Sequence, residues 1–373
     1  MARKLGAVLD FGSSKLTLLV GERVANNNFN ILASLDYDYA GFLNGEFVEP
    51  NQLKTDIANV MSEINRMLDR QISRLFVGVP AEFCVVTSKG LEKNFFKQIR
   101  IKQQNVDELF LNMNKNVNTD THSIINISPL CYELDGGNRT NNPVGAYAKR
   151  IKAYACVVLA ENHFLNLVGG ILRELKVEDI EYVCSPLAVS TSLLSNEERT
   201  GGALIMDCGY LTTSLAYAVG EGLFELTTVP MGGAQITTAL SEGLNLPFSL
   251  AEQVKRQVLV TLEPTSLDYY EVVRNGKLEK VSALKANEIA KQEIDDIINS
   301  VRAKLDAILE VNDYDTLYLT GGGIAYLKGI KCYLEKALKR NIEKITPKQV
   351  KFALPDLSSV VSLLDTALKM EDN

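Results

Sequence analysis

The sequence predicts an α/β protein whose two similar halves face each other across a cleft. Three observations carry that expectation. A strand–Asp-x-Gly–strand unit occurs twice, at Asp10-Phe11-Gly12 and at Asp207-Cys208-Gly209, about 197 positions apart. Self-similarity of that kind marks a duplicated architecture. A glycine-rich turn, Thr320-Gly321-Gly322-Gly323, sits between an apolar run and a helical pattern. Finally, 373 residues exceed what one compact core accommodates, so two or more subdomains are expected.

The elements follow from periodicity and punctuation. Leu5–Leu9 and Leu16–Val20 read as a hairpin whose tight turn carries small polar residues, with Asn30–Leu35 as a third strand. Leu53, Ile57, Val60, Met61, Ile64 and Leu68 share one face of a helix over Pro50–Gln71, and Leu75–Val79 is a short buried strand. From about Phe83 to Val158 the texture changes. Val85–Thr87, Phe96–Ile101, Ser123–Tyr132 and Ile151–Leu159 read as strands, with a helix near Asn105–Met113 and an exposed turn over Asp135–Pro143. This block reads as a small α+β insertion. Glu161–Leu175, Ile180–Val183 and Pro186–Leu194 give helix, strand and helix. The opening pattern then returns in the strands Ala203–Met206, Leu215–Val219 and Leu223–Val229. Helices over Ala234–Leu244 and Leu250–Val260 precede a hairpin, Val272–Val281, turning at Asn275-Gly276. A long amphipathic helix over Asn287–Glu310, the strand Thr316–Leu319, and helices Leu327–Leu338 and Ser358–Met370 complete the chain.

Composition narrows the function classes. Apolar residues make up 46% and charged residues 23%, as in a soluble globular protein. The net charge of -7, without a concentrated basic run, argues against sequence-independent nucleic-acid binding. Six scattered cysteines without a CxxC pair, beside only His122 and His163, argue against zinc and suggest buried, reduced thiols in a cytosolic protein. Neither a signal peptide nor a spanning segment is expected.

The motifs point to polyphosphate chemistry. In Asp10-Phe11-Gly12-Ser13-Ser14-Lys15, Gly12 permits a tight turn whose N–H groups point at a phosphate, while Ser13, Ser14 and Thr17 add hydroxyls and Lys15 a charge. Asp10, at a strand end, suits water-coordinated Mg²⁺. Taken alone, the stretch reads more readily as an ordinary hairpin with a polar turn, since such turns are common. Its repetition at Asp207, Gly209 and Thr212 favours two turns clamping one polyphosphate. Gly321, Gly322 and Gly323 permit close approach to a flat ligand, or form a plain tight turn. Glu252 and Lys255 share one helix face, as a ribose and adenine contact or as a surface ion pair.

The order of these motifs resembles the actin, Hsp70 and sugar-kinase superfamily, and more narrowly FtsA, the bacterial cell-division actin homologue. Leu9–Lys15 with Leu19-Val20-Gly21-Glu22 is similar to the first FtsA phosphate motif. Asn142-Pro143-Val144-Gly145, Glu178-Asp179-Ile180 and Ser185-Pro186-Leu187-Ala188 follow in FtsA order. Pro230-Met231-Gly232-Gly233 resembles the family's Pro-Val-Gly-Gly, Ala251–Lys255 its adenosine-side helix, and Leu319–Gly323 its adenosine motif. The resemblance implies an actin-like ATPase fold: two duplicated RNase H-like halves around a nucleotide cleft with an FtsA-type 1C insertion. The implied divisions are 1–83 with 164–193 and 330–373 as subdomain 1A, 84–163 as 1C, 194–240 with 305–329 as 2A, and 241–304 as 2B. It further implies ATP and Mg²⁺ as cofactors, with Gly232 and Gly233 joining the site residues above and Asp10 and Asp207 as catalytic and metal-facing groups. Self-association into filaments, docking of the FtsZ C-terminal tail on 2B, and contact of other division proteins with 1C are implied as well, as is a position at the inner face of the membrane.

Three departures temper the activity. The family's Asp-x-Gly-Gly-Gly-Thr-Thr-Asp appears here as Asp207-Cys208-Gly209-Tyr210-Leu211-Thr212-Thr213-Ser214, with side chains where close approach or positive φ is expected. Ser185 replaces an acid near the attacking water, a loss worth about 10²–10⁴-fold if that acid is the general base. The family's C-terminal linker and amphipathic membrane helix are not found before Asn373. An adaptor with at most weak ATPase activity is the expectation, against a PilM-like pilus-assembly adaptor and a sugar- or acyl-kinase.

Overall fold

Leu5–Phe11 (β1) and Lys15–Arg23 (β2) form the expected hairpin, paired antiparallel with Asp10 opposite Thr17. In this computed structural model, which describes residues 5–24, 28–111, 120–309 and 316–372, Phe29–Asp38 (β3) adds to the far edge of that hairpin. A two-residue-per-arm hairpin, Phe42–Leu43 (β4) and Glu46–Phe47 (β5), turns at Asn44 and Gly45, both at positive φ. Helix Pro50–Leu68 (α1) begins with proline in its first turn and stops where Asp69 enters the left-handed region. Its buried face, Leu53, Ile57, Val60, Met61 and Ile64, packs on the sheet. Arg74–Val79 (β6) then runs parallel to β1.

The inserted block is more strand-rich than its apolar runs suggest. Cys84–Arg100 (β7) is one strand of 17 residues, not two short ones, because its exposed face alternates with charged residues that interrupt the apolar signal. It pairs with Tyr147–Glu161 (β10), which also pairs with His122–Leu134 (β8). The two-residue strand Arg139–Thr140 (β9) closes the edge. Helix Gln103–Leu111 (α2) starts two residues earlier than expected; positions 112 and 113 of the expected helix lie outside the described residues.

The chain returns through Asn162–Glu174 (α3), Asp179–Cys184 (β11), Ser185–Leu193 (α4) and a five-residue helix, Asn196–Thr200 (α5), that the sequence reading misses. Ser195 caps α5: its hydroxyl accepts from the Glu198 amide at 3.3 Å, and the Glu198 carboxylate accepts from the Ser195 amide at 2.6 Å. Buried Arg199 then donates to the Gly220 and Leu194 carbonyls and pairs with Glu221 at 2.9 Å. Ser195→Ala is expected to cost about 1 kcal/mol, read as a lower urea midpoint at unchanged slope.

The second half repeats the first. Ala203–Cys208 (β12), Thr213–Val219 (β13) and Gly222–Val229 (β14) form the antiparallel triplet, with Asp207 opposite Ser214. Gly233–Leu244 (α6) and Phe248–Gln257 (α7) lead to the hairpin Tyr269–Arg274 (β15) and Lys277–Ser282 (β16). Its turn places Asn275 and Gly276 at positive φ, as their identity predicts. Helix Ala283–Leu309 (α8) begins four residues before the expected start; Glu310 lies outside the described residues. Thr316–Thr320 (β17) is followed by Ile330–Leu338 (α9), delayed from Leu327 because Gly329 sits at φ 79°. Asn341–Lys344 (β18), an element with almost no apolar signal, pairs parallel to β17. Ser358–Asp372 (α10) is the last described element.

The two central sheets have the same layout, β3-β2-β1-β6-β11 and β14-β13-β12-β17-β18. In each, an antiparallel triplet is followed by two parallel strands. Helices α4 and α10 cover one face of the first sheet through Ala188, Val360, Leu363 and Leu364. The core on its other face continues beneath the cleft into Ala203, Ile205, Ala216 and Ala218 of the second sheet, so the two halves share apolar packing at their base. Four cysteines are buried, but Cys131 is half-buried and Cys332 exposed, which corrects the expectation of uniformly buried thiols; the four occupy apolar sites within the sheets while Cys332 faces outward on α9.

Candidate functional site

The Asp10 and Asp207 turns are built alike at the level of single hydrogen bonds. The Gly12 amide donates to the Lys15 carbonyl at 2.9 Å, and the Gly209 amide to the Thr212 carbonyl at 2.8 Å. Each therefore closes a four-residue turn directly after the strand that carries the aspartate. Phe11 anchors the first turn, its ring buried 5.4 Å from that of Phe164. Tyr39 holds the turn from the side, donating to the Gly12 carbonyl at 2.7 Å. The turns touch across the cleft: the Leu211 amide donates to the Ser13 hydroxyl at 3.0 Å.

Between them lies a cleft of about 650 Å³, within the range of small-molecule sites. Asp10, Gly12, Ser13, Ser14, Lys15, Asp207, Gly209, Thr212, Glu252, Lys255, Gly321, Gly322 and Gly323 all line it. Gly232 and Gly233 do not. They stand behind the wall, where Gly233 donates to the Gly209 carbonyl at 2.9 Å and its Cα–H abuts Gly323, leaving no room for a Cβ. Their glycine identity is explained by backbone packing that holds the Gly209 and Gly323 turns together.

The floor is a pair of aspartates. Burial pushes the Asp10 carboxyl up to about 6, against hydrogen bonds from Ser359 at 2.9 Å and Ser185 at 3.4 Å that stabilise its charge. Burial pushes Asp207 up to about 7, with the negative charge of Asp10 adding to the rise. Two desolvated carboxylates that repel one another are held together with no cationic side chain paired to either among the described residues, a donor set suited to a hard divalent ion. Among the described residues no cluster of three or more His, Cys, Asp or Glu side chains forms a metal cage, so an ion here would complete its shell with ligand oxygens and water. Gly321, at φ 90°, is pressed against this floor: a Cβ there would meet Asp207 Oδ1 at 2.3 Å.

Glu252 and Lys255 form an ion pair of 2.6 Å, but not a surface one. Lys255 is almost fully buried and also donates to the Gly233 carbonyl at 3.1 Å, while Glu252 accepts from Thr237 at 2.6 Å and Arg256 at 3.2 Å. The pair thus braces α7 against the start of α6. Beyond it the mouth is aromatic. The Arg256 guanidinium lies 6.0 Å over the Tyr326 ring, Tyr326 donates to Asp356, and Tyr210 meets Phe248 edge-on at 6.5 Å.

Tyr210 and Leu211 do not take positive φ, contrary to the expectation for positions where the resembled motif has glycine; the turn closes with ordinary backbone angles and uses the Leu211 amide across the cleft. The sequence reading misses Glu82, Arg256, Tyr326, Asp356 and Ser359, which line the cleft from segments far apart in the chain. It also misses Gly78, whose absent side chain leaves room for Asp10 and Ser185. Only Glu82 carried a usable signal, as an acid just beyond a buried strand that Pro80 closes.

The paired sheets and the cleft between them define an actin-like fold. Solved structures agree. The PilM–PilN type IV pilus biogenesis complex matches with a TM-score of 0.64 at 16% identity, covering 98% of this chain and 99% of that one. MreB5 of Spiroplasma citri bound to ADP matches with a TM-score of 0.57 at 11% identity, covering 99% of each chain. Within that class the chain is FtsA-like. The family model described as "Cell division protein FtsA" matches residues 204–362. The chain is 20% identical to cell division protein FtsA of Bacillus subtilis over 372 residues, covering 97% of this chain and 83% of the relative. It is 23% identical to that of Streptococcus pneumoniae over 363 residues, covering 96% and 79%.

Proposed function

We propose that this chain is an ATP-binding, actin-like adaptor of bacterial cell division that polymerises and recruits FtsZ to the membrane, with weak hydrolysis at most. The observation that carries the reading is the duplicated turn. Gly12 and Gly209 close equivalent turns on one cleft, above two carboxylates that need a cation. A triphosphate between them supplies the anion for both loops. Asp10 and Asp207 would hold Mg²⁺, and the Gly321–Gly323 turn with Tyr326 and Arg256 receives the adenosine. When bound, the ion neutralises phosphate charge; the chain's own groups position it and close the halves.

In this reading residues 84–163 act as subdomain 1C and meet other division proteins, and residues 241–304 act as subdomain 2B and take the FtsZ tail. Among the described residues no helix is long and apolar enough to cross a membrane. Assembly tests the reading. With Mg²⁺ and ATP the chain is expected to sediment as filaments and to bind a fluorescent peptide of the FtsZ tail. Filaments without tail binding at low salt would move the chain to the pilus-adaptor branch, the second reading.

A further inference from the structure

Thr212 belongs to the second phosphate turn, and across the cleft its side chain helps to stabilise the charge of a carboxylate that the sequence motifs do not contain. That carboxylate is Glu82, in the single 3₁₀ turn Ala81–Phe83 at the end of β6. Strand β6 lies parallel beside β1, so the turn at its end stands next to the strand end that carries Asp10. Phe83, fully buried with its ring 4.8 Å from Phe164 and 5.2 Å from Phe42, fixes that turn to the core. The Gly45 amide, at the tip of the β4–β5 hairpin, donates to Glu82 Oε2 at 3.3 Å.

The other acids of the cleft are engaged elsewhere. Asp36 accepts from Thr17 at 2.9 Å and pairs with Lys15 at 3.8 Å. Glu252 is bound to Lys255, Thr237 and Arg256, and Asp356 to Tyr326. Asp38 is exposed at the rim. Asp10 and Asp207 form the cation floor. Glu82 is half-buried on the cleft wall, held by the Gly45 amide, with no cationic partner among the described residues. Burial holds its carboxyl above the usual range, which strengthens it as a base. At Ser185, where the resembled family carries an acid, the hydroxyl is turned to Asp10 instead.

We propose that Glu82 is the catalytic carboxylate of this cleft, orienting the water that attacks the terminal phosphate of bound ATP and taking its proton. This rests on the nucleotide reading above. The water oxygen bonds to the γ-phosphorus as the bond from that phosphorus to the β,γ-bridging oxygen breaks. The electron pair leaves with the ADP oxygen, and the water proton passes to Glu82 and then to solvent. The Gly45 amide holds the carboxylate on the cleft wall. The departure at Ser185 therefore moves the acid to the turn at the end of β6, and hydrolysis is slow but present.

The test separates binding from turnover in the full chain. Glu82→Gln is expected to bind ATP with Mg²⁺ within about threefold of the native affinity and to lower single-turnover phosphate release about 10²-fold. Glu82→Asp, which withdraws the carboxylate by one methylene, is expected to fall between them and serves if the glutamine variant misfolds. Unchanged phosphate release in either folded variant overturns the proposal, as does a native chain that binds ATP without any release. A native chain that does not bind ATP overturns the nucleotide reading itself.

Discussion

Asp207→Asn is expected to stabilise the ligand-free chain at pH 8 and to weaken its affinity for Mg²⁺-ATP by about 10²–10⁴-fold, the consequence of removing one partner from a desolvated charge pair. The two effects have opposite sign because the carboxylate is costly alone and needed with a cation. Asp207 is raised in the folded chain from its ordinary 3.8 to about 7. A folded value above the unfolded one means the folded state holds the proton more tightly. The stability this contributes is complete below pH 3.8 and disappears as pH rises through 7. Asp10, raised to about 6, loses its share one unit lower. At pH 8 both carboxylates are charged and the empty cleft bears the cost. Asparagine mimics the protonated form and restores on the order of 1–3 kcal/mol after solvent screening. Melting curves at pH 5 and pH 8 check this. The native chain should lose stability between the two pH values and the variant should lose less. A variant that melts lower than the native chain at pH 8 contradicts the electrostatic account of the floor.

Gly321→Val should remove both stability and nucleotide binding. At φ 90° a β-branched residue is strained whatever space surrounds it. Here there is none: the added Cβ meets Asp207 Oδ1 at 2.3 Å and the Cys208 carbonyl at 2.4 Å, the latter being backbone that cannot rotate away. The Gly321 amide also donates to the Pro355 carbonyl at 3.2 Å, so a displaced turn pulls on the segment leading into α10. A cost of about 3 kcal/mol or more is expected. The control is Gly170→Ala, within α3 and with nothing near its Cβ position, which should be neutral or stabilising. Equal behaviour of the two variants in urea unfolding would show that the turn is not constrained as described.

The architecture was legible because its signals are local and repeated. The Asp10 and Asp207 units each combine two apolar runs with a small polar turn, and the structure gives them the same hydrogen bond and the same place in matching sheets. Asn275-Gly276 needed only its own backbone preference to be read correctly. What escaped was non-local. Strand β18 has one buried residue, Ile342, and owes its existence to the edge of β17. Ser359 reaches Asp10 across almost the whole chain, and no spacing rule links them. Glycine identity misled at Gly232 and Gly233, because close approach of backbone to backbone leaves the same trace as close approach of backbone to ligand. Glu252 and Lys255 were legible as a pair. Their burial was not, since it depends on the Gly233 carbonyl that the lysine satisfies.

In the proposed function the two turns and the aspartate floor act as one magnesium-dependent nucleotide site. Isothermal titration of the full chain with ATP at pH 7.5, with magnesium and then with excess EDTA, tests it most directly. One ATP per chain, with a Kd on the order of micromolar or tighter that weakens at least about 100-fold without magnesium, is the predicted result. No heat of binding at millimolar ATP, or an affinity indifferent to magnesium and to Asp207→Asn, would contradict it.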